Sequence, residues 1–179
     1  PDEEVYLKKE ENNWITLKCG KSKFRLPGLA PEDFPPLPEY SEKPLLEFDS
    51  KILKEMIRKT FFSVSPDETR QALNGLLLEM DGDSANLVGT DGHRLAMISR
   101  PVKSNASKGE ALSFLLPKKA LSELLKLMED EDATLGFSSQ DNHLAFICGK
   151  QVIVSRKIDG KFPNYRQVIP GDNQLKAKA

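Results

Sequence analysis

The sequence has few cysteines, no long apolar run and almost no net charge. Only two of its 179 residues are cysteines. Neither Cys19 nor Cys148 has a second cysteine or a histidine at metal-site spacing, so we interpret both as reduced core residues of a cytoplasmic protein. Because no apolar segment approaches the length of a membrane span, we expect no membrane contact. We also expect no metal and no other cofactor.

The charge balance limits the possible functions. Lysine and arginine total 26 residues against 27 acidic ones, which gives a formal net charge of −1. Without a general basic field, any nucleic acid binding must come from a local surface. The sequence has no glycine-rich phosphate loop and no nucleophile elbow, which disfavours an enzyme. The chain begins with Pro1 rather than Met, and we expect it to be an interior piece of a longer protein.

Alternating apolar residues predict a series of short strands separated by turns. In chain order they cover residues 5–7, 14–19, 23–26, 45–48, 73–80, 85–89, 95–99, 112–116, 134–137, 144–148 and 152–155. Prolines between residues 27 and 38 exclude a helix interior and predict an extended linker. Residues 171–179 are polar and show no periodic pattern.

Two segments have the apolar spacing of amphipathic helices. The first follows Asp49 or Ser50, either of which is a suitable N-cap residue. The second has Pro117 in its first turn, where a missing N–H costs nothing. The apolar stripes consist of Ile52, Leu53, Met56 and Ile57 in the first helix and of Ala120, Leu121, Leu124, Leu125 and Met128 in the second.

The chain contains an internal repeat. The shift that places Lys51 on Lys119 also places Glu55 on Glu123, and it superimposes the two apolar stripes. Each helix follows one predicted strand and precedes about three. Residues 45–165 are therefore predicted to be two copies of a strand-helix-strand-strand-strand unit. This pattern indicates an α+β fold in which two packed helices lie against antiparallel sheets.

A second, longer shift relates the start of the chain to its end. It places residues 14–21 on residues 143–150, so that Cys19-Gly20-Lys21 matches Cys148-Gly149-Lys150. Phe34-Pro35 falls on Phe162-Pro163 with one residue of slack. We therefore predict that residues 1–40 are the second half of one domain, residues 41–166 a complete domain, and residues 167–179 the start of another.

Thr90-Asp91-Gly92-His93-Arg94-Leu95 joins two predicted strands. Asp-Gly between apolar runs is a strong signal for a tight hairpin turn. Three interpretations remain open from these residues alone. The segment could be a plain turn, or an Asp91/His93 pair of a small hydrolase or phosphotransferase that also uses Arg94. It could also be the polar rim of a peptide pocket with Leu95 on its floor.

The polar faces of the two helices carry several basic residues, which we expect to share one surface. Most such faces are simply solvated, and the acidic residues Glu55, Glu123 and Glu129 favour that interpretation. The alternative is a weak, sequence-independent surface for phosphates. A module that binds nucleic acid by itself is disfavoured by the net charge of −1.

Three motifs, in this order, closely resemble the sliding clamp family, the beta subunit of bacterial DNA polymerase III. They are Leu73-Asn74-Gly75, Thr90-Asp91-Gly92-His93-Arg94-Leu95-Ala96 and Asp159-Gly160-Lys161-Phe162-Pro163-Asn164-Tyr165. The resemblance runs through essentially the whole chain. It implies the DNA-clamp fold and a non-catalytic processivity factor that, at full length, closes as a homodimeric ring around duplex DNA with helices lining the hole.

The resemblance also implies partners. The DNA polymerase III alpha subunit, the clamp loader, other polymerases and mismatch-repair proteins insert a short linear motif between the second and third clamp domains. The motif has a Gln and a terminal apolar pair. Because the ring interface joins domains that this chain largely lacks, we expect the chain itself to be a monomer or a non-native dimer through exposed strand edges.

Two sets of site residues follow from the resemblance. The implied peptide-binding residues are Leu73, Thr90, Gly92, His93, Arg94, Leu95, Pro163, Gln167 and Val168. Gln167 stands where clamps often carry an Arg. The implied DNA-facing residues are Lys51, Lys54, Arg58, Arg70, Gln71, Lys118, Lys119 and Lys126.

Overall fold

The computed structural model describes residues 3–107, 112–128 and 133–170. The chain divides into two compact units, Pro1–Pro38 and Glu39–Ala179. The predicted polar tail at 171–179 and the predicted helix-face residue Glu129 lie outside the described residues. The assignment of three clamp domains remains a prediction.

The first unit contains one antiparallel sheet. Its strands, in spatial order, are β1 (Val5–Lys9), β2 (Trp14–Cys19) and β3 (Ser22–Pro27). All three were predicted, although β1 extends further than expected. The proline-rich segment that follows contains one 3₁₀ turn, Pro31–Asp33, within the predicted extended linker. Pro31 begins this turn because the first residue of a helical turn needs no N–H donor.

The second unit consists of two helices and nine strands among the described residues. In chain order they are β4 (Leu46–Asp49), α1 (Ser50–Thr60), β5 (Gly75–Asp81), β6 (Ser84–Thr90), β7 (Leu95–Pro101), β8 (Lys103–Ser104), β9 (Ser113–Pro117), α2 (Lys118–Leu127), β10 (Thr134–Gln140), β11 (His143–Cys148) and β12 (Gln151–Arg156). The predicted strand-helix-strand-strand-strand order is therefore present twice. The very short strand β8 was not predicted.

The two repeats exchange their first strands. One sheet has the order β7-β6-β5-β9 and the other β12-β11-β10-β4-β8. Strand β9 of the second repeat pairs with β5 of the first, with Leu115 opposite Leu77, while β4 pairs with β10. Neither repeat can therefore complete its sheet alone. Sequence periodicity predicted the strands but not this exchange, because periodicity carries no information about pairing partners.

The second internal shift coincides with equivalent strands. When Cys19 is placed on Cys148, β2 falls on β11 and β3 falls on β12, from end to end. In each case the first of the two is a middle strand between two antiparallel neighbours. His143 begins β11 as Trp14 begins β2, which confirms His143 as a strand residue.

One main core joins both helices to both sheets of the second unit. It includes Leu53, Met56 and Ile57 of α1 and Leu121 and Leu124 of α2. Buried residues of both sheets complete it: Leu46, Phe48, Leu76, Leu78, Leu87, Leu116, Leu135, Phe137, Leu144 and Phe146. The helices run antiparallel. Lys54 of α1 contacts the end of α2, and Lys118 at the start of α2 lies near Phe61 at the end of α1.

Side-chain contacts fix the helix termini. Lys54 Nζ of α1 donates to the Met128 carbonyl oxygen at the end of α2, over 3.1 Å. Lys118 Nζ lies 5.9 Å from the ring centre of Phe61. Asp49 is the N-cap of α1, because its Oδ1 accepts from the amides of Lys51 (2.8 Å) and Ile52 (3.3 Å).

Several predicted strands begin or end a few residues from their observed bounds, and two of these differences change the element to which a named residue belongs. Leu73 was predicted to begin a strand, but it ends the 3₁₀ helix Gln71–Leu73, and β5 begins at Gly75. The Leu73 carbonyl accepts from the Ser65 amide (2.9 Å), which turns the chain just before the strand. Pro117 was predicted in the first turn of α2, but it ends β9 and is the N-cap residue.

In the sheet β7-β6-β5-β9, the two middle strands β6 and β5 are mostly buried on both faces. Along β5, Leu76 and Leu78 point into the main core, whereas Leu77 points to the opposite face. There Leu77, Val88, Leu115, Phe162 and Tyr165 form a second apolar cluster, which we call the outer cluster. The chain after β12 therefore covers this sheet and brings its own residues to the candidate site.

Candidate functional site

The hexapeptide at residues 90–95 joins two strands as a hairpin, as predicted. Thr90 ends β6, Leu95 begins β7, and the two are cross-strand partners. The Thr90 hydroxyl donates to the Arg94 carbonyl (2.6 Å) and accepts from the Gly92 amide (3.1 Å). Gly92 has a φ of +93°, a conformation that favours glycine. The Asp-Gly signal and the two flanking strands together predicted this hairpin.

Asp91 organises this loop through its carboxylate. Its Oδ1 accepts from the amides of His93 (2.9 Å) and Arg94 (3.1 Å), and its Oδ2 accepts from Arg94 Nε (3.0 Å). The hydrogen bond from the His93 amide, followed by that from Arg94, holds the pKa of Asp91 below its usual value. Among the described residues, no hydrogen bond joins this carboxylate to the His93 imidazole. Asp91 is therefore a structural acceptor.

The connection after α1 is tied to the loop. Arg70 Nη1 donates to the Asp91 carbonyl oxygen over 3.3 Å. The guanidinium carbon of Arg94 lies 5.8 Å from the ring centre of Phe62, whose side chain is 58% exposed. The structure thus places Arg70, predicted to face DNA, beside the predicted peptide-binding residues. Phe62 was not predicted as a site residue; the Phe61-Phe62 pair directly after a helix was its only sequence signal.

Leu73 and Leu95 pack on the outer cluster, together with Ala72 and Ile158. Thr90, at the end of β6, is buried and is the cross-strand partner of Leu95. The structure therefore brings two groups of predicted residues together. Leu73 and Leu95 pack on the outer cluster, and residues 90–94 form the polar loop beside them. Gly92, His93 and Arg94 are exposed.

The other three predicted peptide-binding residues lie on the segment after β12. Pro163 is exposed and stands between the buried Phe162 and Tyr165. Gln167 ends the 3₁₀ helix Tyr165–Gln167, and Val168, 68% exposed, follows it. Val168 does not belong to the outer cluster, so the described residues leave its side chain open to solvent.

A cleft of about 560 Å³ lies between the β5–β9 edge and residues 157–166. Leu77, Leu115 and Phe162 give it apolar walls, and Glu79 and Lys161 are among its polar lining residues. Of the predicted peptide-binding residues, only Pro163 lines it. Sequence reasoning did not predict this cleft.

A polar network at the cleft was also missed. The Tyr165 hydroxyl donates to Glu79 Oε2 (2.6 Å), and Arg166 Nη2 donates to the same oxygen (2.9 Å). Burial, and then the bond to Glu79, raises the pKa of Tyr165 to about 12. The bond to Glu79 also raises the pKa of Arg166. The available signal was Glu79 and Asp81 at alternate positions of an apolar strand.

The basic helix residues are only partly available to a ligand. The exposed members of the set are Lys51, Arg58, Lys119 and Lys126 on the helices and Gln71 in the 3₁₀ helix before β5. Lys54 and Lys118 are half-buried, and the Lys54 ammonium donates a hydrogen bond to the Met128 carbonyl oxygen. Lys126 pairs with Glu123 at 3.0 Å. The predicted common DNA-facing surface therefore remains a prediction.

Other features set limits within the described part of the chain. Neither Cys19 nor Cys148 forms a disulfide. Cys148 is buried in the main core, as predicted, whereas Cys19 is only half-buried at the end of β2, so the prediction that it is a core residue was wrong. In residues 3–107, 112–128 and 133–170, no three His, Cys, Asp or Glu side chains are grouped to hold a metal ion. None of the helices there is long and apolar enough to cross a membrane.

Comparison with known proteins defines the class. Residues 47–164 match the family described as DNA polymerase III beta subunit, central domain. The beta sliding clamp of Halalkalibacterium halodurans is 33% identical over 170 residues, which are 95% of this chain and 45% of the relative. The chain thus spans about half the length of that protein.

Solved structures agree with this match. A DNA polymerase sliding clamp from Bacillus subtilis superimposes with a TM-score of 0.83 at 27% identity, over 94% of this chain and 44% of that one. A sliding clamp from Pseudomonas aeruginosa bound to griselimycin gives 0.82 at 31% identity, over 95% and 45%. The fold is thus that of sliding clamps, as the α+β prediction had it.

The chain belongs to the DNA polymerase III beta subunit family. Its relatives are clamps, which are non-catalytic processivity factors, and this confirms the prediction that the chain is not an enzyme. The runner-up interpretation, a hydrolase or phosphotransferase built on Asp91 and His93, was wrong.

Proposed function

We propose that the chain is the peptide-docking part of a bacterial replication clamp. At full length the protein closes as a homodimeric ring around duplex DNA in the cytoplasm. It tethers the DNA polymerase III alpha subunit, the clamp loader, other polymerases and mismatch-repair proteins. These partners bind through a short linear motif with a Gln and a terminal apolar pair.

One observation carries the docking proposal. Leu73 and Leu95, which lie in different elements, pack on the same outer cluster beside the 90–95 loop. Apolar anchors on such a floor, with polar groups setting register, are how short motifs bind. Arg94 supplies an exposed cation at the rim, and the buried Thr90 holds the loop in place through its hydroxyl. Pro163, Gln167 and Val168 form the other wall.

The proposed DNA contact is weak. Lys51, Arg58, Lys119 and Lys126 are exposed on the two helices, and Lys126 forms a surface ion pair with Glu123. A ring holds DNA by enclosing it, so it needs no tight contacts. The proposed DNA-facing residues also include Lys54, Arg70, Gln71 and Lys118, which we expect to contribute less.

An NMR titration tests the docking proposal. The isotope-labelled chain is titrated with the pentapeptide Gln-Ala-Ala-Leu-Phe and, as a control, with Gln-Ala-Ala-Ala-Ala. We expect binding of about millimolar strength by the first peptide, which NMR detects, and no binding by the second. The shifts should be confined to Leu73, residues 90–95 and Val168.

Matched variants sharpen this titration. Arg94→Ala should weaken binding about tenfold or more, while Arg156→Ala, an exposed arginine on β12, should leave it unchanged. Leu95→Asp should abolish binding, because a carboxylate cannot replace an apolar floor. Equal binding by Arg94→Ala and wild type would refute the assignment of the loop as the pocket rim.

A further inference from the structure

The segment from Phe162 to Val168 belongs to no sheet, yet it carries one wall of the proposed pocket. Two anchors hold it: Phe162 is 9% exposed and Tyr165 is 4% exposed, both within the outer cluster. Pro163 lies between these anchors. Beyond them, the amide of Val168 donates to the Tyr165 carbonyl oxygen over 3.2 Å.

Apolar burial alone does not fix the position of such a segment. The hydrophobic effect is non-directional, so burial of the two rings against Leu77 and Leu115 does not by itself specify the orientation of the residues that follow them. A short hydrogen bond has a preferred distance and angle and therefore sets register. The structure provides such bonds from Tyr165 and Arg166 to strand β5, and the shortest of them is the bond from Tyr165 to Glu79.

Glu79 binds two consecutive residues of the segment. Its Oε2 accepts from the Tyr165 hydroxyl at 2.6 Å and from Arg166 Nη2 at 2.9 Å. Arg166 also reaches Asp81 Oδ2 at 3.3 Å, and its guanidinium carbon lies 5.6 Å from the Tyr165 ring centre. The carboxylate on β5 therefore holds the 3₁₀ helix just before Val168.

We propose that Glu79 and Tyr165 are positioning residues for peptide binding. Their hydrogen bond, which we call the Glu79 latch, fixes the Pro163–Val168 wall relative to the wall made by Leu73, Leu95 and the 90–95 loop. The latch contacts no peptide itself. This inference rests on the proposed function, because it assigns a role to residues next to the proposed pocket.

The test uses variants of the whole chain that remove single contacts. Tyr165→Phe deletes only the donor and keeps the ring in the cluster. Glu79→Ala deletes the acceptor, whereas Glu79→Gln keeps an acceptor for the Tyr165 hydroxyl. Tyr6→Phe is the matched control, because Tyr6 makes a similar 2.8 Å bond to Glu4 on the exposed sheet of the first unit.

Two measurements are made on each variant: hydrogen exchange of the Gln167 and Val168 amides in the free protein, and NMR titration with Gln-Ala-Ala-Leu-Phe. For Tyr165→Phe and Glu79→Ala we expect exchange about tenfold faster and affinity about threefold to tenfold weaker. At saturation, the 90–95 loop should still shift, but Val168 should not. Glu79→Gln should bind within about twofold of wild type, and Tyr6→Phe should match it.

The outcomes separate the latch from the proposed function. If wild type binds and Tyr165→Phe binds equally well, the latch has no positioning role, whatever its exchange rates. A uniform loss of shifts at both walls would also overturn it, because that indicates general destabilisation. No binding by wild type would instead refute the proposed pocket in this chain, and the latch with it.

Discussion

Gly75 of β5 lies against Leu116 of β9, so closely that a Cβ atom on Gly75 would be 2.3 Å from the Leu116 carbonyl oxygen. These strands come from different repeats, and their pairing is one of the two exchanges that unite the repeats. The absence of a side chain at Gly75 is therefore a condition of the fold.

Gly75→Ala should destabilise the chain by about 3 kcal/mol, because the obstructing atom is backbone and cannot rotate away. Gly82→Ala is the control: Gly82 has a φ of +62° with nothing within 4 Å of an added Cβ, so it should cost only about 1 kcal/mol. Urea unfolding measures both. Equal stabilities of the two variants would contradict the close approach.

Removing the Asp91 carboxylate should loosen the 90–95 loop. Asp91→Ala should speed hydrogen exchange of the His93 and Arg94 amides, which lose their acceptor, whereas Asp91→Asn keeps an oxygen and should speed it less. Because the folded pKa of Asp91 is lowered, the loop bonds are present above the ordinary value of 3.8 and are lost as pH falls through the folded value. Unchanged exchange in Asp91→Ala would refute this role.

The Tyr165 phenol should stay protonated up to about pH 12. Since its folded pKa is raised from 10.0, the stabilisation that it gives is complete below pH 10 and is lost as pH rises from 10 to about 12. NMR titration of the ring Cζ resonance measures this directly. Glu79→Gln should lower the pKa of Tyr165. Between pH 10 and pH 12, Tyr165→Phe should lose less stability than the wild type. A Tyr165 pKa near 10 would contradict the buried hydrogen bond.

Binding of the chain to short linear duplex DNA should be weak and dependent on salt. Arg58→Ala and Lys119→Ala should each reduce the slope of log affinity against log salt by about one unit, because each removes one phosphate contact. Lys21→Ala, an exposed lysine of the first unit, is the control and should leave the slope unchanged. An identical slope for all three variants would refute the helix-face assignment.

Much of the fold was predictable because it depends on local patterns. The apolar stripes predicted α1 and α2, and the shift that relates the two helices predicted their shared flanking strands. The exchange of β4 and β9 was not predictable, since alternation shows which side chains are buried but not which strand lies alongside. The short strand β8 has too few residues to show any alternation.

The candidate site was predictable in part, for the same reason. The 90–95 loop and Leu73 were found through contiguous motifs. Glu79 and Arg166 were missed because their contact joins residues that are 87 positions apart. The alternation of Glu79 and Asp81 along an apolar strand was a local signal, but it does not identify the residue that they bind. The sequence identified Phe162 and Tyr165 only as part of the motif at residues 159–165. The structure shows that both are buried and anchor the segment after β12.

Intermolecular NOEs between Gln-Ala-Ala-Leu-Phe and the chain test the docking proposal most directly, because they locate the bound peptide. We predict NOEs from the peptide's leucine and phenylalanine side chains to the methyl groups of Leu73 and Leu95. NOEs confined to Leu77 and Leu115 would place the peptide in the cleft beside β9 instead, and would contradict the proposed pocket.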